Sequence, residues 1–334
     1  MKPSPRIVHV EPLPDWIRGL YEAAAAEASM SVEWAGGVAD DELAEVIDGA
    51  TVLVTGKRAL TAELLEGAGQ SLEAVVVVGR APWAVDRDAA ASAGIAVAIV
   101  PHRGAMAVAE HTLALMLGVY RKLAAGHLGT VSAAYRERGV QPVRTDERTI
   151  AFNWLELAGV DQMYGKTLGL VGLGDIGLEV ARRARAFDMR VLYTKRRPLD
   201  GKHEAMVGVE WASLETLVTE SDVISLHAPH TPDTEGMIDQ EAFGHMKKSA
   251  VLINTARGGL VDEDALVDAL RSGAIGGAGL DAFVDEPLPA GHGLLALDNV
   301  LLSPHVGGGT GGGQRGVANA VVGTIQRLLA GEGP

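Results

Sequence analysis

Short apolar segments recur along this chain, and most are separated by stretches rich in alanine and other helix formers. The segments read IVHV, TVLVT, LEAVVVVG, IAVAIV, LGLVG, RVLY, DVISLH, VLINTA, AGLDAF and NVLLS. Such alternation of strand and helix patterns favours parallel sheets built from βαβ units. Strands that are apolar almost throughout fit sheets covered by helices on both faces. The sequence therefore predicts an α/β protein with doubly wound parallel sheets.

Two groups of these strand and helix units flank residues 105–165. Within that stretch, AVAEHTLALMLGVYRKLAAG (107–126) predicts one long helix, and residues 141–162 predict an irregular connection. The length of 334 residues also suits two domains, at roughly 150 residues each. We therefore expect two doubly wound units.

The charge balance limits the partners that this chain can have. Asp and Glu total 43 against 29 Lys and Arg, and the net charge of -14 disfavours nucleic acid and anionic membranes. Cysteine is absent, so neither a disulfide nor a thiolate metal site can form. The stretch MKPSPRIVHVEPLP lacks the apolar core of a signal peptide, and the run ALMLGVY is too short to span a bilayer. We expect a cytoplasmic protein that binds no metal, nucleic acid or membrane.

A glycine-rich turn follows the apolar strand LGLV in the middle of the chain. In GKTLGLVGLGDIGLEVARRARAFDMRVLY, Gly172, Gly174 and Gly177 lie between this strand and an Ala-rich helix, and a second strand follows. Such glycines permit a tight turn, close approach of the backbone to a pyrophosphate, and close packing of helix on strand. The helix N-terminus also attracts the anion. We interpret the turn as a dinucleotide site; the alternative is a plain connection between strand and helix.

The end of the second strand bears on which dinucleotide binds. NAD sites usually carry an acid there for the ribose 2′-hydroxyl, but this chain has Thr194, followed by Lys195, Arg196 and Arg197. Cations at this position would attract the 2′-phosphate of NADP(H). The sequence thus favours NADP, with NAD as the alternative. In that alternative the basic residues form a solvated loop, and Asp200 or a backbone group serves the ribose.

Three polar residues follow later apolar strands, where a doubly wound sheet binds its ligands. They are Arg257 in INTARGG, Glu286 in LDAFVDEPL and His305 in LLSPHVGGGT. Carbonyl reduction by hydride needs a proton donor, for which His is suited, and a carboxylate beside it stabilises the imidazolium. Arg can bind a substrate carboxylate through two parallel hydrogen bonds. Each residue also has an ordinary structural explanation, and the spacing alone does not show that the three meet.

From Leu72 to Thr310 the sequence resembles the D-isomer-specific 2-hydroxyacid dehydrogenase family, whose members include glyoxylate and hydroxypyruvate reductases. The motifs that carry the resemblance occur in order: AVAEHTLALML (107–117), GKTLGLVGLGDIG (165–177), SDVISLHAPHTPDT (221–234), INTARGGLVDEDAL (253–266), GAGLDAFVDEP (277–287) and SPHVGGGT (303–310).

The resemblance implies roles for individual residues. It implies that Arg257 is catalytic, that Glu286 pairs with the acid/base His305, and that Asp281 lies near the nicotinamide carboxamide. It also implies cofactor contacts for several other residues: Asp175 and Ile176 after the pyrophosphate turn, Thr255 and Ala256 on the nicotinamide side, and His227 in the cofactor cleft.

The resemblance further implies a discontinuous architecture. A Rossmann cofactor domain (105–305) is expected to be inserted in a flavodoxin-like substrate domain (1–104 and 306–334). The AVAEHTLALML helix is expected to support a homodimer interface.

The substrate loop departs from the family pattern. Relatives usually read G-x-G-x-D-N-x-D, whereas this chain reads GRAPWAVD (79–86), with Arg80, Ala81, Pro82 and Trp83. Ala81 replaces the second glycine and Pro82 removes an amide donor. Either the loop is reshaped with unchanged chemistry, or Arg80 and Trp83 shift the substrate away from common small 2-oxoacids. The stretch 126–163 is longer than expected for the family, and no role is predicted for it.

The leading hypothesis is therefore an NADP(H)-preferring enzyme that interconverts a 2-oxoacid and a D-2-hydroxyacid. In this hypothesis Arg257 binds the substrate carboxylate, His305 is the acid/base and Glu286 tunes His305. One alternative is a nonenzymatic NAD(P)(H)-sensing protein resembling a corepressor. Another is a phosphite dehydrogenase, since Arg257 could also bind a tetrahedral oxyanion.

Overall fold

The computed structural model describes residues 5–81, 83–309 and 313–333, and the chain divides into two compact units. Unit 1 comprises Met1–Ala107 and Gly308–Pro334, and unit 2 comprises Val108–Gly307. Pro82 of the substrate loop and Thr310 of the last motif lie outside the described residues. The assignment of a substrate domain to 1–104 and 306–334, and of a cofactor domain to 105–305, stays a prediction.

The described residues form the following strands and α-helices in chain order. The strands are β1 (Ile7–His9), β2 (Val32–Trp34), β3 (Val52–Thr55), β4 (Ala74–Val78), β5 (Ala96–Val100), β6 (Thr167–Val171), β7 (Arg190–Thr194), β8 (Glu210–Trp211), β9 (Val223–Leu226), β10 (Val251–Asn254), β11 (Gly277–Leu280) and β12 (Val300–Leu302). The helices are α1 (Asp15–Glu27), α2 (Leu43–Ile47), α3 (Ala62–Gly67), α4 (Arg87–Ser92), α5 (Arg103–Tyr120), α6 (Leu123–Val131), α7 (Asp175–Arg185), α8 (Gly201–Val207), α9 (Leu214–Glu220), α10 (Gln240–His245), α11 (Glu263–Ser272) and α12 (Gln314–Leu329).

Unit 1 is built on a parallel sheet in the order β2-β1-β3-β4-β5. This is the flavodoxin-like order, and it reverses between β1 and β3, where such sheets bind ligands at their carboxyl edge. The helix α12 packs on the sheet through Val317, Val321 and Ile325, which recur every four residues and are buried. The C-terminal helix thus belongs to the same core as the first strands of the chain.

Unit 2 is built on a parallel sheet in the order β12-β11-β10-β9-β6-β7-β8. The Rossmann order lies within it, extended by β12, and the strand order reverses between β6 and β9. The central strands β9 and β10 are buried throughout, and β6 is buried except at Thr167, as their apolar sequences predict. The predicted fold class, two parallel-sheet α/β domains, is confirmed.

The prediction of one long helix over 107–126 is wrong, because two helices occupy that stretch. The first, α5, ends at Tyr120, and Lys122 before α6 has a left-handed backbone with φ of +51°. Asp161 N donates to Tyr120 O at 2.9 Å, an acceptor that a continuing helix would use itself. The irregular connection predicted over 141–162 is confirmed, since no helix or strand is assigned there.

None of the described helices is long and apolar enough to cross a membrane. A cytoplasmic location stays a prediction.

Candidate active site

The glycine turn after β6 has the backbone geometry that its sequence predicts. Gly172 has φ of +101°, and a Cβ added there would lie 2.7 Å from the backbone carbon of His227. A Cβ on Gly177 would lie 2.5 Å from the carbonyl oxygen of Gly172. The helix α7 begins at Asp175, and Gly174 before it has no side chain with which to cap the helix. No side chain at Gly174 caps the first turn of α7, and the glycine turn fits a dinucleotide pyrophosphate.

The loop after β7 carries the predicted basic residues. Thr194, the last residue of β7, is half-buried, and its carbonyl accepts a hydrogen bond from Gly172 N at 2.9 Å. Lys195 is half-buried, and Arg196 and Arg197 are exposed. The loop therefore begins directly beside the glycine turn.

The far end of the same loop is fixed by Tyr193 and Asp200. The buried Tyr193 hydroxyl accepts from Leu199 N at 2.7 Å and donates to Glu204 Oε1 at 2.8 Å. Asp200 caps α8 by accepting from His203 N at 2.9 Å. Asp200 is therefore engaged within its own helix, which weakens the alternative in which it binds the ribose.

Arg257 lies in a turn after β10 that Asn254 holds. The buried Asn254 accepts from Ala256 N at 3.0 Å and donates to the carbonyl of Arg257 at 2.8 Å. The guanidinium of Arg257 is exposed and donates to Ala256 O at 2.6 Å. Thr255 between them is buried, and its hydroxyl lies 2.9 Å from that of Thr112 on α5. The turn is thus held by the side chain of Asn254, and the guanidinium of Arg257 is exposed.

Glu286 and His305 meet, although 19 residues separate them. His305 Nδ1 lies 2.7 Å from Glu286 Oε2, and the two side chains are 43% and 37% exposed, so a ligand can reach them. Desolvation raises the pKa of Glu286, but hydrogen bonds from His305 and Phe283 N, with the charge of Arg257, outweigh it and lower the pKa overall. Since Nδ1 is engaged, Nε2 is the nitrogen that His305 can use for proton transfer.

Asp281 clamps the loop that carries His305. Its buried carboxylate accepts from Ser303 Oγ at 2.6 Å, from Val306 N at 2.9 Å and from Gly307 N at 2.8 Å. His111 Nε2 lies 3.2 Å from the same carboxylate. Desolvation raises the pKa of Asp281, but these hydrogen bonds and the charge of His111 lower it overall.

His305 itself has an unusual backbone conformation. Its φ is +52°, a left-handed value that is uncommon for residues other than glycine. Because Asp281 binds the backbone on one side of His305 and the Ser303 side chain on the other, it stabilises this conformation. These contacts give Asp281 a structural role, and its predicted contact with the nicotinamide carboxamide stays a prediction.

His227 lies next to the glycine turn and is neutral. Its Nε2 is 2.9 Å from Ser225 Oγ, and its buried Nδ1 has no partner among the described residues. Desolvation lowers the pKa of His227 to about 3. A buried imidazole without a charge suits a cofactor cleft better than proton transfer near neutral pH.

The predicted substrate loop lies in unit 1, after β4. Arg80 is exposed, Ala81 is buried, and Trp83 Nε1 donates to Lys57 O at 3.2 Å. Asp86, which matches the family pattern, caps α4 by accepting from Ala89 N at 3.0 Å. The predicted substrate residues are thus divided between the units, since Arg257 belongs to unit 2.

Several residues that support the site were not singled out from the sequence. Asn254 and Ser303 are polar residues at strand ends, and His111 follows a glutamate in the helix α5. Glu263 accepts from Val284 N at 2.9 Å and so supports the turn before Glu286. The position of Asn254 and Ser303 at strand ends was an available signal, whereas the hydrogen-bond partners of His111, Ser303 and Glu263 are remote in sequence.

The fold and this arrangement of residues define a dinucleotide-binding oxidoreductase. Residues 113–307 match the profile of the family described as D-isomer specific 2-hydroxyacid dehydrogenase, NAD binding domain. The chain is 36% identical to a hydroxypyruvate reductase from Thermotoga maritima over 294 residues, which cover 86% of this chain and 88% of that protein. The chain belongs to the D-isomer-specific 2-hydroxyacid dehydrogenase family and binds NAD(P).

Other relatives are named for different substrates. A D-3-phosphoglycerate dehydrogenase from Methanocaldococcus jannaschii is 38% identical over 308 residues; the match covers 90% of this chain but only 54% of that relative. A glyoxylate reductase from Thermococcus kodakarensis is 40% identical over 252 residues, covering 75% of this chain and 71% of that protein.

Solved structures give the same fold. A glyoxylate reductase from Paecilomyes thermophila has a TM-score of 0.56 and 28% identity, covering 99% of this chain and 98% of that one. An acyclic imino acid reductase in complex with NADPH and D-Arg has a TM-score of 0.53 and 25% identity, covering 98% of both chains.

Proposed function

We propose that the chain reduces a 2-oxoacid to a D-2-hydroxyacid, and catalyses the reverse reaction, with His305 as the acid/base. The observation that carries this proposal is the contact between His305 Nδ1 and Glu286 Oε2 at 2.7 Å, with Arg257 close enough for its charge to lower the pKa of Glu286. A proton donor, its carboxylate partner and a cation are the groups that carbonyl reduction needs.

Each of the three residues has its own part in the reaction. A nicotinamide cofactor held at the glycine turn would supply the hydride for the new C–H bond at the substrate's carbonyl carbon. Arg257 binds the substrate carboxylate through its planar guanidinium and polarises the carbonyl. His305 Nε2 gives a proton to the carbonyl oxygen as the π electron pair moves onto it, and Glu286 stabilises the imidazolium before this transfer.

Reduction of defined 2-oxoacids tests this proposal. Purified protein is assayed with glyoxylate, hydroxypyruvate and larger 2-oxoacids, each with NADPH and with NADH, and the product is resolved on a chiral column. We expect turnover that yields the D-product. Cofactor binding without reduction of any 2-oxoacid would contradict the proposal and favour a dinucleotide sensor.

We also propose that NADP(H) is the preferred cofactor. Arg196 and Arg197 are exposed on the loop that begins beside the glycine turn, whereas Asp200 is engaged as the cap of α8. A 2′-phosphate at this loop would form charge-assisted hydrogen bonds with the arginines. The imino acid reductase solved with NADPH shares the fold and 25% of its sequence with this chain, which is consistent with the proposal.

Neutral replacements on this loop test the cofactor preference. Replacing Arg196 and Arg197 with Gln should weaken the binding of NADPH by roughly 1.5–3 kcal/mol for each charged hydrogen bond lost. The binding of NADH should change little. The matched control removes two exposed arginines elsewhere, Arg87→Gln and Arg271→Gln. Equal losses of NADPH and NADH affinity in the first variant would contradict a contact with the 2′-phosphate.

We propose further that the chain forms a homodimer, and that the segment 123–164 contributes to its interface. Large apolar side chains are exposed along this segment, at Leu123, Leu128, Val131, Val143, Ile150, Phe152, Val160 and Tyr164, and α6 buries no residue. Exposed apolar patches of this kind mark interaction surfaces. The helix α5, by contrast, buries Leu113, Leu115 and Met116 within the chain.

Light scattering after size exclusion tests the dimer. Leu128→Ser with Phe152→Ser should reduce the mass toward that of one chain. Met206→Ser, an exposed apolar residue outside the segment, is the control and should leave the mass unchanged. A monomeric wild-type protein would refute the proposal.

A further inference from the structure

The turn that carries Glu286 is held by carboxylates. We call residues 282–286 the Glu286 turn. Among the described residues, no hydrogen bond joins a backbone group of the segment 282–288 to another backbone group. Two amides of the turn instead donate to side chains, Phe283 N to Glu286 Oε1 at 3.1 Å and Val284 N to Glu263 Oε1 at 2.9 Å. Glu263 therefore ties the Glu286 turn to the helix α11.

The position of Glu263 is itself well fixed. It is the first residue of α11, directly after the N-cap Asp262, which accepts from Ala265 N at 3.0 Å. The side chain of Glu263 is 13% exposed, and its second oxygen, Oε2, lies 3.4 Å from His292 Nε2. His292 is held in turn, because its Nδ1 accepts from Leu294 N at 3.3 Å. Both oxygens of the Glu263 carboxylate thus have a partner, which limits the positions that the side chain can take.

The peptide group that Glu263 binds also packs against the turn that carries Arg257. A Cβ added at Gly258 would lie 1.9 Å from the backbone carbon of Phe283 and 2.1 Å from Val284 N. Only a glycine permits this approach. Gly258 follows Arg257 directly, and Asn254 donates to the carbonyl of Arg257 at 2.8 Å. One peptide group thus joins the Glu286 turn to the turn of Arg257.

The same peptide group reaches the proton-transfer pair through Phe283 N. Desolvation raises the pKa of Glu286, but the hydrogen bonds from His305 and from this amide, with the charges of His305 and Arg257, lower it overall. A displaced peptide would take one donor away from Glu286. It would also move the carboxylate that lies 2.7 Å from His305 Nδ1.

We propose that Glu263 is a positioning residue for proton transfer, which acts by holding the Glu286 turn against Gly258. In this role it fixes Glu286 and His305 relative to Arg257 without touching substrate or cofactor. The inference rests on the proposed reduction of 2-oxoacids and adds a residue to its machinery. The reach of the Glu263 side chain matters for this role, and its charge does not.

Three variants at Glu263 separate reach from charge. Glu263→Gln keeps an acceptor oxygen at the same reach but has no charge. Glu263→Asp keeps the charge on a side chain that is one methylene shorter, and Glu263→Ala keeps neither. The matched control is Asp264→Ala, because Asp264 is an exposed acid in the same first turn of α11. For each protein we measure kcat and KM for hydroxypyruvate as a function of pH.

The proton-transfer step should be affected more than substrate binding. We expect kcat to fall by about tenfold in Glu263→Ala and Glu263→Asp, since a misplaced acid/base loses part of its contribution. KM should change little, because Asn254 holds the backbone of Arg257 independently. The decrease of the rate with rising pH should begin at a lower pH, because a displaced Glu286 stabilises the imidazolium less. Glu263→Gln and Asp264→Ala should keep the kcat and the pH profile of the wild type.

The tautomer of neutral His305 gives a readout that is independent of turnover. A hydrogen bond to Glu286 favours the tautomer with the proton on Nδ1. Nitrogen NMR shifts of labelled histidine report this tautomer, and His305→Gln assigns the signals. The population should move toward the Nε2 tautomer in Glu263→Ala and Glu263→Asp, but not in Glu263→Gln or Asp264→Ala. If Glu263→Ala does not fold, Glu263→Asp carries both comparisons.

Unchanged kcat and an unchanged tautomer in folded Glu263→Asp overturn the inference, even if the variant is less stable than the wild type. A fall in kcat with an unchanged tautomer also overturns it, since the effect would not pass through Glu286. A larger loss in Glu263→Gln than in Glu263→Asp does the same, because charge would then matter more than reach. A tautomer that shifts as expected, in a protein that reduces no 2-oxoacid, instead refutes the proposed function and supports Glu263 as the residue that positions Glu286.

Discussion

Asp281→Ala should release the loop that carries His305. The buried carboxylate of Asp281 accepts three hydrogen bonds at 2.6–2.9 Å, from Ser303 Oγ, Val306 N and Gly307 N. Hydrogen bonds to a charged group contribute about 1.5–3 kcal/mol each, but the loop can rehydrate in the variant. We expect a loss of about 3–5 kcal/mol in the free energy of unfolding, as for other disrupted buried networks.

Activity should fall together with stability in this variant. His305 has φ of +52°, and without Asp281 its backbone can relax to an ordinary conformation that moves the imidazole away from Glu286. The assay combines urea unfolding without cofactor with kcat measured below the unfolding transition. Ser303→Ala, which removes one of the three hydrogen bonds, is the graded control and should lose less of both. If Asp281→Ala unfolds at the same urea concentration as the wild type and keeps its kcat, Asp281 does not hold the His305 loop in place.

Three further predictions concern separate parts of the molecule. Glu286→Gln removes the carboxylate that stabilises the His305 imidazolium, the proton donor in reduction. In a pH–rate profile, the rate of reduction decreases as the pH rises, and this decrease should begin at a lower pH than in the wild type. Gly172→Ala should weaken the binding of both NADH and NADPH in titrations. The φ of +101° and a Cβ 2.7 Å from the His227 backbone would strain the turn by ~1–3 kcal/mol. Desolvation lowers the pKa of buried His9 from 6.5 to about 4, so the unfolded state binds more protons between these values. Stability should therefore fall as the pH drops through that window, by about 2 kcal/mol at pH 5, and His9→Asn should flatten this dependence in urea titrations; an unchanged slope would contradict it.

The strands could be predicted from the sequence because both sheets are parallel and buried. Such strands are apolar throughout, and each apolar segment that we singled out overlaps a strand. The short strands β2 and β8 were not predicted. Each has only two or three residues, and Glu33 and Glu210 interrupt the apolar pattern. The break between α5 and α6 was also missed, since Lys122 gives no sign in the sequence of its left-handed backbone.

The candidate site could be predicted only in part. Strand ends identify Arg257, Glu286 and His305 as candidates, because parallel strands present their carboxyl ends at one edge. The contacts of Asp281 with Ser303 and of Glu11 with Gly56 N join residues 22 or more positions apart. No local pattern encodes such pairs, and only the folded chain shows them.

The central claim, that His305 is the acid/base for 2-oxoacid reduction, is tested most directly by single-turnover reduction with His305→Gln. Wild type and variant are saturated with NADPH, binding is verified by fluorescence, and hydroxypyruvate is added. We expect the wild type to consume the cofactor and the variant to do so slower by roughly 10²–10⁴-fold, with unchanged cofactor affinity. A variant that reduces the substrate as fast as the wild type would contradict the account.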